Sequence, residues 1–434
     1  MRLDGPSEHI TPYDRLSFSD VEAEALLASG EQRQELIAFF GDREYGELRY
    51  LAQRAAQARP LAQGGRVFIV PGIMGSQLGF DRPEPLPRDL LWVDPVDISA
   101  GRLRVLQTDA GAPVRAMGVV LFSYLRLRLH LVASGFEVTC MDYDWRLGVE
   151  VLGKQLAQRI EAAPYAHVHL VGHSMGGLVA RAALSHPARR KVQQVVLLGT
   201  PNEGSFAGVQ ALRGTYPVVR KLARLDSRIT AEQLAAEVFN TFPSLYHLLP
   251  TRAHTHPIDL FDAEQWPRQG PRPRPELLRA ARAERGGLAT ANEHWSVVIG
   301  TGQPTVTGIE RAGDDFIYTV TRHGDGTIPA VSARLAGAGT YYVACAHGEL
   351  TRDPLVASAV AEILKSGTTR RLARRWWPRN RAVGRISDSA LRLTHTEKVD
   401  LTTLEPDARR LYMQTLNEPP PLRLRAPARR LGGH

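Results

Sequence analysis

Short apolar runs and stretches of helical period alternate along most of this chain. Arg66-Val67-Phe68-Ile69-Val70, Phe136-Glu137-Val138-Thr139-Cys140, Val168-His169-Leu170-Val171, Lys191 to Thr200, His294 to Gly300 and Tyr341 to Cys345 each read as a strand. Between several of them, Leu121 to Ala133, Leu152 to Ala162 and Asp353 to Lys365 carry apolar residues every three or four positions, as a helix with one buried face does. Strand and helix in repetition predict an α/β fold: a mostly parallel central sheet with helices on both faces. Ile317 to Val320 is expected in a hairpin arm, and Leu91-Trp92-Val93-Asp94-Pro95 opens an irregular excursion that lasts to about residue 118.

The flanks follow other patterns. Residues 1–64 read as a helical N-terminal extension. Ser19 and Glu22 have capping-box spacing, Gly30 and Gly41 break the periodicity, and Tyr45, Leu48, Leu51 and Ala55 share one side of a third helix. Residues 65–367 form the sheet domain. Within it, about 205–290 turns rich in Pro, Arg, His and Ala, with aromatics at Phe239, Phe242, Tyr246, Phe261 and Trp266. An insertion of this length between two strands is expected to be a cap or lid. Residues 368–434 read as a basic tail rich in Pro and Arg, with Trp376-Trp377 in it.

Composition narrows the class. Hydrophobic residues make up 43% of the 434 and charged residues 23%, an ordinary globular balance. The formal charge of +9 comes from 54 Lys and Arg against 45 Asp and Glu, and much of the excess lies after residue 365. Two cysteines, Cys140 and Cys345, make no disulfide framework. The first thirty residues lack an apolar h-region, so no signal peptide is expected. No run of about 18 apolar residues suggests a spanning helix. The expected location is the cytoplasm, with a peripheral contact to the inner membrane face through the basic, Trp-bearing tail. Few aromatics interleave with the arginines, so no nucleic-acid partner is expected.

Candidate chemistry centres on Gly172-His173-Ser174-Met175-Gly176-Gly177, placed between a strand and a helix. G-x-S-x-G in that context reads as a nucleophile elbow, a turn tight enough to strain the serine and expose its hydroxyl. Gly172 and Gly176 fit because a Cβ would collide with neighbouring backbone. The N–H of Met175 is the first oxyanion donor expected. The loop Pro71-Gly72-Ile73-Met74 follows an early strand, where a second donor belongs, and Ile73 is the first candidate for it, with Met74 next. His173 reads as an orienting or packing residue.

A serine hydroxyl is a poor nucleophile at neutral pH and needs a base, which in turn needs an acid to fix its tautomer. In the architecture that carries a nucleophile elbow, these partners follow later strands, in the order Ser, acid, His. Asp325 lies between two glycines after the hairpin arm, and His347 follows the last strand. They are the expected acid and base. His323, Asp314 and Asp315 are the rivals. Met74, Trp145, Phe242 and Tyr246 are expected to line the substrate site, the last two from the cap. Asp142 and Asp144 are expected to pair with arginine or backbone and shape their loop. No cofactor is expected, since no Walker or dinucleotide glycine pattern follows a strand. No metal is expected either, because His254, His256 and His294 lack companions at ligand spacing.

Taken together, Val70-Pro71-Gly72-Ile73-Met74-Gly75-Ser76, Leu91-Trp92-Val93-Asp94, Tyr143-Asp144-Trp145-Arg146, the elbow, Thr200-Pro201-Asn202-Glu203-Gly204-Ser205, Gly324-Asp325-Gly326-Thr327-Ile328-Pro329 and His347-Gly348-Glu349-Leu350 resemble the lecithin:cholesterol acyltransferase-like lipases. They occur in that family's order over about residues 65–365. The resemblance implies an α/β-hydrolase fold with Ser174, Asp325 and His347 as triad. It implies a lipid ester, phospholipid or acylglycerol, as acyl donor to water or an alcohol. The cysteines match no disulfide arrangement of secreted members, which points to an intracellular, bacterial-type relative. The competing readings are a non-catalytic membrane- or polyanion-binding protein on the same scaffold and a thioesterase or peptidase of the same fold.

Overall fold

The computed structural model describes residues 5–16, 18–60, 65–251, 257–377, 384–394 and 396–416. Its strands are β1 (Arg66–Val70), β2 (Ser76–Phe80), β3 (Asp89–Trp92), β4 (Arg115–Val119), β5 (Glu137–Cys140), β6 (Val168–His173), β7 (Val192–Leu198), β8 (Trp295–Gly300), β9 (Thr305–Ala312), β10 (Asp315–Thr321), β11 (Gly339–Val343) and β12 (Gly384–Ser387). Six of them form one sheet in the order β11-β8-β7-β6-β1-β5, every neighbouring pair parallel. A sheet covered on both faces needs apolar side chains on both, which is why its strands read as unbroken apolar runs. Phe68, Val70, Leu170 and Leu197 enter one core, and Val67, Ile69, Val171 and Val196 enter the other. The parallel order, with β6 inside the sheet, agrees with the expected α/β-hydrolase fold.

The helices Leu121–Ala133, Val149–Ala162, Met175–Ala183 and Pro354–Ser366 flank the sheet. Three more helices precede it: Asp20–Ser29, Arg33–Phe40 and Asp42–Ala56. The capping box at Ser19 is formed, with both reciprocal hydrogen bonds. These helices bury Leu27, Phe40, Leu48 and Leu51 against Leu121, Leu125 and Leu129 of the helix before β5.

Two stretches are more ordered than their sequence suggests. The excursion after β1 holds a three-stranded antiparallel sheet in the order β3-β2-β4. Its strands are four or five residues long with bulged registers, too short for a clear period-two pattern. The expected basic tail is partly docked. Its β12 pairs with β10 of the β9–β10 hairpin. Asp388 forms a fully buried ion pair with Arg213 at 2.8 Å, and Gln414 Nε2 donates to the carbonyl of Phe40. Charged residues in a Pro- and Arg-rich segment look solvated until their buried partners are known. Between β7 and β8 lie the helices of the cap, Phe206–Leu212, Pro217–Leu225, Ala231–Glu237, Pro243–His247 and Pro275–Glu284. Among the described residues no helix is long and apolar enough to cross a membrane.

Candidate active site

Strand β6 runs directly into the helix Met175–Ala183, and Ser174 is the single residue between them. So sharp a reversal puts Ser174 at φ 53°, ψ −128°, a conformation L residues rarely adopt. The neighbouring glycines make room. A Cβ on Gly172 would lie 2.7 Å from Gly177 Cα, and one on Gly176 would lie 2.2 Å from the carbonyl oxygen of Val70. The elbow is therefore wedged against the end of β1, which carries the loop Pro71 to Gly75.

His347 lies at the start of a short 3-10 turn after β11, and its Nε2 is 2.9 Å from Ser174 Oγ. Its Nδ1 is 2.8 Å from Asp325 Oδ2. Asp325 is 2% exposed, and its other oxygen accepts from the amides of Thr327 and Ile328 at 2.9 and 2.7 Å. The backbone amide of His347 donates to the carbonyl of Asp325 at 2.8 Å. Acid and base loops are thus joined through both backbone and side chain. Gly199, at the end of β7, has φ +55°, and a Cβ there would sit 3.0 Å from His347 Nδ1. The structure brings the side chains of Ser174, His347 and Asp325 into one hydrogen-bonded line.

The rivals lie elsewhere. The ring of His323 packs edge-on to Trp376. Asp314 accepts from the amides of Arg268 and Gln269, and Asp315 accepts from Ser389. Asp144 binds Arg146 through both carboxylate oxygens, and Asp142 faces Arg159 at 3.4 Å. These two acids shape their loop, as expected.

Met175 supplies the first amide of its helix, a position with no intrahelical acceptor. In the loop after β1, the Gly72 amide donates to Tyr124 Oη and the Gly75 amide to the Gly72 carbonyl. Met74 is at φ 61°, and its carbonyl accepts from the indole of Trp92 at 2.9 Å. Half-buried Ile73 lies between these fixed points.

Sequence reasoning passed over Tyr124. Its hydroxyl accepts from the Gly72 amide at 2.8 Å and meets His173 Nδ1 at 3.0 Å. His173 Nε2 in turn meets the carbonyl of His347 at 3.2 Å. A neutral imidazole fits both contacts, accepting from the phenol and donating to the carbonyl. Burial and the nearby His347 ring push the His173 pKa down to about 3, and burial keeps the phenol of Tyr124 protonated. The only sequence signal was a lone hydroxyl within an apolar helix face.

Three of the four expected substrate-site residues are corrected. Trp145, Phe242 and Tyr246 have no exposed surface and belong to the main core. The Trp145 indole donates to the carbonyl of Ser76, and its ring meets Trp92 and Phe242 edge-on. Tyr246 Oη donates to the carbonyl of Asn240 and accepts from the amide of Arg274. Their aromatic surface fuses the cap to the domain and lines no open groove, because an insertion this long needs a core of its own. Met74 is 5% exposed. Ser205, at the start of the cap, donates to the Thr327 carbonyl at 2.6 Å and so ties the cap to the acid loop.

Among the described residues no group of three His, Cys, Asp or Glu side chains is placed to hold a metal ion. His254 and His256 lie outside those residues.

A family model described as PGAP1-like alpha/beta domain matches residues 153–228, from the helix before β6 into the cap. No curated protein matches the chain. Among solved structures, it is similar to the Tle4-Tli4 complex, with a TM-score of 0.48, 16% identity, and 70% of this chain and 98% of that one covered. It is also similar to the lipase BlEst2 of Bacillus licheniformis in propeptide form, with a TM-score of 0.40, 15% identity and coverage of 74% and 54%. For lipase B of Aspergillus fumigatus the TM-score is 0.37, with 12% identity and coverage of 81% and 61%.

Proposed function

We propose that the chain is a serine esterase or lipase that acts on lipid esters through an acyl-enzyme on Ser174. The observation that carries this reading is the unbroken line from Asp325 Oδ2 through His347 to Ser174 Oγ, at 2.8 and 2.9 Å, on a strained elbow. On this reading His347 Nε2 removes the hydroxyl proton as Oγ attacks the ester carbonyl. The tetrahedral oxyanion forms beside the amides of Met175 and Ile73, fixed donors that cost no reorganisation when charge develops. His347 then returns the proton to the leaving alcohol, and water or an acceptor alcohol repeats the sequence to release the acyl group. Asp325 holds the imidazole in the tautomer that presents an unprotonated Nε2. The choice of a lipid ester rests on the motif likeness to lecithin:cholesterol acyltransferase-like lipases.

A fluorophosphonate probe tests the nucleophile: it should label the intact protein and leave Ser174→Ala unlabelled. Product lipidomics with mixed phospholipids and neutral lipids, wild type against Ser174→Ala, tests the substrate class and separates hydrolysis from transfer. No labelling of folded wild-type protein would leave only the binding-protein reading.

Peripheral membrane contact belongs to the same proposal. Trp377 is 77% exposed, beside exposed Arg370, Arg371, Arg374 and Arg375. An indole at headgroup depth among cations suits an anionic leaflet. Co-sedimentation with anionic vesicles should weaken in Trp377→Ala and disappear with zwitterionic lipid.

A further inference from the structure

A cavity of about 760 Å³ lies where four parts of the molecule meet, and Ser174 and its partners do not line it. One wall is Ala38 and Phe39 of the N-terminal helices. Others are Gln77, Val93 and Val120 around the small antiparallel sheet, Arg224 and Leu225 of the cap, and residues 398–401, 409, 410, 413 and 414 of the docked C-terminal segment. Its size falls within the range of about 300–1,000 Å³ typical of small-molecule sites.

The lining is two-sided in character. Phe39 stacks on Phe122 with centroids 4.4 Å apart, and Val93, Val120, Leu121, Val399, Leu401 and Met413 extend an apolar floor. Four basic side chains, Arg224, Lys398, Arg409 and Arg410, stand against one carboxylate, Asp400. Lys398 is committed, since Nζ donates to the carbonyls of Ala223, Asp226 and Ile229. Arg410 pairs with Asp407. Arg224 spends its Nε on the carbonyl of Glu397 and pairs with no carboxylate among the described residues. Tyr13 adds a phenol whose pKa burial raises, so it stays protonated and able to donate.

We infer that this cavity binds a single-chain anionic amphiphile, a long-chain fatty acid carboxylate, with its head at Arg224 and its chain along Phe39, Phe122 and Val93. An apolar trough with one cationic end favours an anionic amphiphile over a small hydrophilic anion, which would leave the floor wet, and over a neutral lipid, which would leave the remaining N–H donors of Arg224 to water. The site also touches the machinery of the proposed reaction from behind. Val120 donates its amide to the carbonyl of Gly75, and Val93 follows Trp92, whose indole holds the carbonyl of Met74.

Titration of the full chain carrying Ser174→Ala with oleate, followed by calorimetry, tests the site without turnover. One oleate per chain is expected. Arg224→Gln should weaken binding at least tenfold, and Ala38→Trp, placed on an exposed position at the wall, should abolish it. A diazirine-bearing fatty acid should crosslink to peptides containing residues 93–99, 120–122 or 398–414. Crosslinking confined to peptides holding residues 72–75 or 174 would overturn the inference, whatever the standing of the esterase reading. So would oleate affinity unchanged in both variants while circular dichroism shows them folded. Dodecylammonium in place of oleate should not bind, and equal affinity for it would show detergent uptake and no site.

Discussion

Two buried polar clusters in this molecule handle charge in opposite ways. Around Ser174 one carboxylate, one imidazole and one hydroxyl align at 2.8 and 2.9 Å, and the His173 ring packs against that imidazole. Where the N-terminal segment meets the excursion after β1, Asp14, Asp89 and Asp97 surround Arg82 and Arg102, and Asp94 binds Thr11 beside them. Arg82 reaches Asp14 at 3.0 Å and Asp89 at 3.2 Å, and Arg102 reaches Asp89 at 2.7 Å and also binds Asp97. Three acids share two guanidinium groups. Burial pushes Asp94 up to about 6 and Asp97 up to about 7. Perturbed acids often mark active sites, yet the hydroxyl of this cluster, that of Thr11, is buried against Asp94 and meets no imidazole among the described residues. It fastens the N-terminal segment, since Asp14 also accepts from the Leu90 amide and Thr11 bonds Asp94. On the reading proposed above, alignment of a hydroxyl with an imidazole and a carboxylate separates a reactive site from a staple better than the size of a pKa shift does.

The two clusters should respond differently to mutation. Ser174→Ala should give the largest effect, about a 10⁶-fold loss in kcat for ester hydrolysis, with the urea midpoint unchanged. Asp325→Asn should follow at about 10⁴-fold, because the amide fixes the wrong tautomer of His347. Steady-state hydrolysis of a p-nitrophenyl acyl ester by both variants measures this. A loss under tenfold for Asp325→Asn would place the acid elsewhere.

Arg102→Met tests the other cluster. It leaves Asp89 and Asp97 buried beside one fewer cation, which should cost about 3–5 kcal/mol of stability. The molecules that remain folded should keep wild-type turnover per active site, counted by fluorophosphonate titration. Loss of turnover without loss of stability would make the staple part of the site.

Much of this was legible in the chain, and the reasons differ by region. The central sheet shows because strands buried on both faces need unbroken apolar runs, and the helix Leu121–Ala133 shows because its apolar face is complete. The elbow shows because only glycine fits at positions 172 and 176. Asp325 and His347 could be singled out because each follows an ordered element on the same rim. What the chain hid was tertiary. Trp145, Phe242 and Tyr246 are greasy whether they line a groove or fill a core, and periodicity cannot tell these apart. Arg213 and Asp388, 175 positions apart, look like two surface charges until folding buries them together. Tyr124 hid for the same reason, since a phenol within an apolar face reads as packing.

The smallest effect sharpens the contrast most, because it gives the two clusters opposite signs. Asp97 has its folded pKa raised from 3.8 to about 7, so between those values the folded state holds a proton that the unfolded state has lost. Its contribution therefore falls as pH rises through that window. His173 has its pKa lowered from 6.5 to about 3, so in that window the unfolded state holds the extra proton. Its contribution falls as pH drops. Each slope is one proton, about 1.4 kcal/mol per pH unit. Asp97→Asn should remove the first slope and His173→Gln the second, while Gln keeps a donor for the His347 carbonyl. Urea unfolding of wild type and both variants at pH 4.5, 5.5 and 6.5 should show the stability differences diverging in opposite directions. Parallel curves would mean that neither group changes protonation on folding, and that the two clusters differ in geometry alone.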